Sequence, residues 1–116
     1  MYVEWMVERS HMKILPIQLP REKIHEFCQR WQVQELDLFG SVLREDFRPD
    51  SDVDVLVEFQ PEARRNLLDL VQMEQELAEM FGREVDLLSK SAIEKSPNWL
   101  RRQAILSTAE PVYVAG

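Results

Sequence analysis

The chain has 116 residues, 45% of them hydrophobic and 30% charged, a balance that fits one compact domain and excludes a disordered chain or a coiled-coil rod. No apolar run approaches the roughly 20 residues of a membrane span, no secretory signal is evident, and Cys28 is the only cysteine, so a soluble chain without internal disulfides in a reducing cytoplasm is expected. Fourteen basic against 21 acidic residues leave a net charge of -7; this repels a phosphate backbone, disfavours direct nucleic-acid binding, and requires a local solution for any anionic ligand.

Residues 1–12 read as an addition, because Ser10-His11-Met12 has the look of a cloning junction. The alternative is an ordinary N-terminal extension whose Trp5, Met6 and Val7 dock on a domain spanning 13–116. Pro16 and Pro20 punctuate a loop, and Pro20 suits a first helical position. Ile24, Phe27, Cys28 and Trp31 then recur at helical spacing. That stripe makes Cys28 a packed core thiol and not a nucleophile, and His25 a partly exposed helix residue with no second histidine at ligand spacing. Residues 34–39 alternate as a half-buried strand ending at Gly40. A short helical stretch from Ser41 to about Asp46 and a turn at Arg48-Pro49-Asp50 follow. Residues 52–59 form the strongest strand, closed by Pro61. The next helix spans 64–81, with Leu67, Leu70, Met73, Leu77 and Met80 on one stripe and Gly82 as a left-handed stop. Glu84–Leu88 reads as a short strand, after which Ser89 or Ser91 caps a turn of helix. Pro97 opens a last helix through about Leu106, and 111–114 adds an edge strand. This order predicts an α/β fold with one sheet covered by helices.

Three carboxylates sit where strands should be apolar. Asp52 and Asp54 flank Val53, so strand alternation points both to one face while Val53, Val55 and Val57 pack on the other. Two like charges side by side cost stability unless something positive lies between them, and Mg²⁺, with hard oxygen ligands and a preference for carboxylates plus substrate phosphates, fits that position. Asp86, between Val85 and Leu87, reaches the same face if its strand lies beside the first. Three such carboxylates could hold one or two metal ions in the arrangement that supports phosphoryl displacement. Ordinary acidic strand ends would read the same way from spacing alone. Gly40-Ser41, with ten residues separating Ser41 from Asp52, adds a site where backbone and hydroxyl can approach a phosphate.

The run Phe39-Gly40-Ser41-Val42-Leu43-Arg44, continuing through Arg48-Pro49-Asp50-Ser51-Asp52-Val53-Asp54-Val55-Leu56-Val57, resembles the signature of the minimal nucleotidyltransferases (the MNT antitoxin family), within the DNA-polymerase-β-like nucleotidyltransferase superfamily. The resemblance extends from about Ile24 to Tyr113. It implies the nucleotidyltransferase fold, a small mixed β-sheet flanked by helices. It implies nucleotide contacts at Gly40 and Ser41, and Mg²⁺ ligation and catalysis by Asp52, Asp54 and Asp86. Arg44 matches the family's arginine as an anion partner; a surface ion pair with Glu45 or Asp46 is its alternative. Glu45 departs from the glycine found in many members and reads as a solvated turn residue. Arg101 and Arg102 read as a solvated or partner-facing patch.

The implied reaction is magnesium-dependent transfer of AMP from ATP, with release of pyrophosphate and no covalent intermediate. The chain carries no substrate domain, so an open site must borrow its other wall from a partner protein or a second copy. By the same resemblance the partner is a HEPN-domain toxin, neutralised by this chain as antitoxin through contact or through AMPylation of a protein hydroxyl. Two readings stand against it. One is a catalytically idle module that binds the toxin; the other is transfer to a small aminoglycoside-type acceptor.

Overall fold

The computed structural model describes residues 19–43 and 52–115. Helix α1 (Arg21–Arg30) buries Ile24, Phe27 and Cys28 as their spacing requires. Pro20 precedes the first helical residue, and its carbonyl accepts the Ile24 N–H at 2.9 Å. The turn after α1 places Gln32 at φ 59, an unusual conformation for a residue with a side chain. Arg65 braces it. Its guanidinium donates to the Trp31 carbonyl at 2.8 and 3.1 Å and to Gln32 Oε1 at 3.1 Å, lying over the Trp31 ring.

Strands β1 (Val33–Phe39) and β2 (Val53–Phe59) pair antiparallel, β3 (Val85–Ser89) runs parallel to β2, and β4 (Glu110–Val114) antiparallel to β1. The sheet is therefore mixed, in the order β3-β2-β1-β4. Leu38 lies opposite Val55 and Leu36 opposite Val57, whereas Phe39 faces Asp54 and Asp37 faces Leu56. Pairing thus sorts the sheet into two faces. On the first, Leu36, Leu38, Val53, Val55 and Val57 join Ile24, Phe27, Cys28, Met73 and Leu77 in the main core. On the second, Phe39 and Leu56 pack with Ile93 and Ile105, carried by α3 (Lys90–Glu94) and α4 (Trp99–Thr108).

The crossover from β2 to β3 carries α2 (Leu67–Phe81), which starts three residues later than the expected span of 64–81. Asn66 accepts the Asp69 N–H at 2.9 Å while the Asp69 carboxylate accepts the Asn66 N–H at 3.1 Å. This reciprocal cap sets the start, and it leaves Leu67 in the first turn 75% exposed, outside the buried stripe. Gly82 ends the helix at φ 70. Ser89, not Ser91, caps α3. Asn98 caps α4, so Pro97 lies ahead of that helix, and the helix continues to Thr108, two residues past the expected end. β1 also departs from a half-buried strand: it is central, helices cover both faces, and Leu36 through Phe39 are all buried. Of the short helix expected after Gly40, the described part is a 3₁₀ turn, Gly40–Leu43. The turn at 48–50 and the N-terminal segment 1–12 lie outside the described residues. Among the described residues no helix is long and apolar enough to cross a membrane.

Candidate functional site

Because α3 and α4 cover only part of the second face, its end at the start of β2 carries the acidic residues. Asp54 lies in register with Asp86 across the parallel β2–β3 pair and with Phe39 across the antiparallel β1–β2 pair. In-register residues on neighbouring strands share a face and sit about 4.8 Å apart along the hydrogen-bonding direction. The Val53 N–H donates to the Glu84 carbonyl at 2.9 Å, tying the beginnings of both strands together. Asp54 is half-buried; Asp52, just before β2, and Asp86 are exposed.

Gly40 closes this end from the β1 side. It adopts φ 76, and a Cβ placed there would collide with Asp54 Oδ2 and come within 3.1 Å of its Cγ. The turn therefore runs directly against the Asp54 carboxylate, an approach that only glycine permits. Both strand alternation and the Gly40 turn converge on Asp54. Ser41 follows in the same turn, but its side chain lies outside the described residues, as do Arg44, Glu45 and Arg48.

Asp54 and Asp86 are thus brought together, with Asp52 at the adjoining strand entrance. Among the described residues no three His, Cys, Asp or Glu side chains form a group able to hold a metal ion. The donor set nevertheless suits Mg²⁺, whose usual protein complement is one or two carboxylates, with waters and substrate phosphates filling the remaining positions. A pair of in-register carboxylates beside a glycine turn satisfies that requirement, whereas no all-protein cage arises among the described residues.

A second acidic group, which strand alternation alone assigns to solvent, occupies the other end of the same face. Asp37 is only 6% exposed, and its Oδ1 has no hydrogen-bond partner. Burial, then the hydrogen bond and charge of Glu35, push its carboxyl up to about 8, with Glu58 adding to the rise and Lys90 opposing it. Glu35 faces Glu58 across β1 and β2, and Lys90 Nζ pairs with Glu58 Oε1 at 3.3 Å. The missing signal was tertiary: α3 and α4 cover what a lone strand would show to water. Elsewhere, the Cys28 thiol is buried and desolvation pushes it up to about 12, as a core role requires. Arg102 Nη1 donates to the Ser96 carbonyl at 2.8 Å, bracing the turn before α4, while Arg101 is exposed.

Residues 20–110 match the family described as the nucleotidyltransferase domain. Protein adenylyltransferase MntA of Thermococcus cleftensis is 40% identical over 68 residues, 59% of this chain and 67% of that protein. A solved structure described as a minimal nucleotidyltransferase is 31% identical, covers 96% of each chain and superposes with a TM-score of 0.61. The complex of a tri-AMPylated Shewanella oneidensis HEPN toxin with an MNT antitoxin shares the fold, with a TM-score of 0.56 at 20% identity over 82% of this chain and 70% of that one.

Proposed function

This chain belongs to the nucleotidyltransferase domain family, and from that premise we propose that it transfers AMP from ATP to a hydroxyl of a HEPN-domain toxin, acting as that toxin's antitoxin. The observation that carries the reading is the in-register pair Asp54–Asp86 with the Gly40 turn packed on Asp54. Asp52, Asp54 and Asp86 would hold Mg²⁺, which when bound neutralises triphosphate charge and aligns it for displacement.

The chain's own residues do the rest. Gly40 and Ser41 bring backbone close to the triphosphate, and Arg44 adds a cation for it. The acceptor oxygen forms a bond to the α-phosphorus as the bond to the β-phosphate oxygen breaks, and pyrophosphate leaves. Asp86, exposed at the sheet edge, is the carboxylate we assign to take the acceptor's proton. Orientation and charge compensation supply most of such a rate enhancement. The AMPylated toxin of the structural relative supports the acceptor class, and the net charge of -7 favours a basic partner.

Incubation with labelled ATP, Mg²⁺ and the HEPN partner should label the partner, and Asp52→Asn or Asp54→Asn should reduce labelling at least about 100-fold. The lack of a three-carboxylate group among the described residues favours one rival, an idle module that neutralises by contact. Equal neutralisation by wild type and both variants, with no label transferred, would establish that rival instead.

A further inference from the structure

Among the described residues, β3 has a sheet neighbour on one side only. In a five-residue edge strand, alternate N–H groups point away from the ladder and leave the strand open to fraying. The outward N–H of Leu87 is not left to water. It donates to Glu74 Oε2 of α2 at 2.9 Å. That N–H belongs to the peptide that joins Asp86 to Leu87, so its plane fixes the direction in which the Asp86 side chain leaves the backbone. α2 is itself firmly placed: Met73 and Leu77 on either side of Glu74 are fully buried, the Asn66–Asp69 cap fixes its start, and Gly82 fixes its end.

Resting on the transferase reading above, we infer that Glu74 is a positioning residue for Asp86. Its carboxylate pins the open edge of β3 and so sets where Asp86 stands beside Asp54. Asp86 is exposed, so packing does not hold its side chain, and its placement depends on the backbone beneath it. Glu74 touches neither substrate nor the reacting atoms; it acts through the peptide.

The test compares Glu74→Leu, which removes the acceptor, with Glu74→Gln, whose amide oxygen can still accept. Glu79→Leu on the exposed side of α2 is the control. In the presence of the HEPN partner, Glu74→Leu should lower the labelling rate and raise the Mg²⁺ needed for half-maximal rate, each about tenfold, as loss of supporting partners typically does. The ATP KM at saturating Mg²⁺ should stay near wild type. Glu74→Gln should recover most of both losses, and Glu79→Leu should lose neither. By NMR, the Leu87 amide should be protected from exchange in wild type and exposed in Glu74→Leu, with a matching shift of the Asp86 carboxyl resonance. Should Glu74→Leu fail to fold, Glu74→Asp, one methylene too short to reach, reads the same quantities. An unchanged labelling rate and Mg²⁺ midpoint in the acceptor-free variant would overturn the inference. Absence of labelling by wild type would overturn the transferase reading alone, because Leu87 exchange and the Asp86 resonance still decide whether Glu74 sets the position of Asp86.

Discussion

Gly40 and Gly82 share a backbone conformation but not surroundings, and replacing each by alanine separates strain from the Asp54 contact. Gly40 has φ 76 with the Asp54 carboxylate in the way of any Cβ; Gly82 has φ 70 and nothing within 4 Å. Left-handed geometry costs a non-glycine residue about 1–2 kcal/mol, offset by about 0.4–1 kcal/mol from the less flexible unfolded chain. Gly82→Ala should therefore lose about 1 kcal/mol. Gly40→Ala must also displace the Asp54 carboxylate from its rotamer, adding about 0.5–1.5 kcal/mol, for a total near 2 kcal/mol. At about 4–8 °C per kcal/mol for a domain of this size, thermal melts resolve the two. Labelling should diverge further: Gly82→Ala keeps wild-type transfer, while Gly40→Ala loses about 100-fold, as misplacement of about 1 Å at a reacting centre can. In an Asp54→Ala background the extra cost at Gly40 should vanish, leaving about 1 kcal/mol, since only contacting residues couple. Equal melting losses in the two alanine variants, with transfer intact in both, would refute the reasoning.

Two further outcomes follow from buried titratable groups. The folded chain holds the Asp37 proton to about pH 8, whereas an unfolded aspartate releases it near 3.9; the folded state binds more protons between those values, so Asp37 erodes stability as pH rises through that window. Asp37→Asn should match wild type near pH 4 and gain on it by about 1 kcal/mol per pH unit between pH 5 and 7, and parallel urea-unfolding curves at the two pH values would contradict this. Cys28, fully buried and with its thiol pushed up to about 12, should react with an aromatic disulfide reagent at pH 8 only as fast as the chain opens, and at full speed in guanidinium; stoichiometric labelling of the native protein within seconds would count against a packed thiol.

The parts of this fold legible from sequence are those in which local pattern and tertiary burial agree. Ile24, Phe27 and Cys28 form a helical stripe and are buried, and Val53, Val55 and Val57 alternate and are buried. Asp54 and Asp86 were legible for the same reason, because a carboxylate between buried valines and leucines has one face left to occupy. Legibility failed where a neighbour distant in sequence decides the outcome. Leu67 matches the stripe but falls in the capped first turn, and Asp37 matches a solvent-facing alternation but is buried on the face covered by helices that follow β3. Glu74 gave no local sign either, since its partner is a backbone N–H thirteen residues away.

Register explains why the acidic pair needs no attraction of its own to form. A slip of β3 by one residue along β2 would turn Asp86 into the main core and push Val85 and Leu87, now 8% and 7% exposed, out to the opposite face. Losing the burial of two such side chains costs about 3–6 kcal/mol, before the cost of a buried carboxylate is added. Packing therefore overrides the mutual repulsion of Asp54 and Asp86 and holds them side by side. A slip of two residues escapes that penalty on facing, because alternate positions share a face, and would carry Asp86 about 6.6 Å along the strand. Against that slip the chain sets two specific bonds, Val53 N–H to the Glu84 carbonyl and Leu87 N–H to Glu74. Hydrophobic pattern chooses the face, and hydrogen bonds at the entrance and the middle of a short strand choose the position on it.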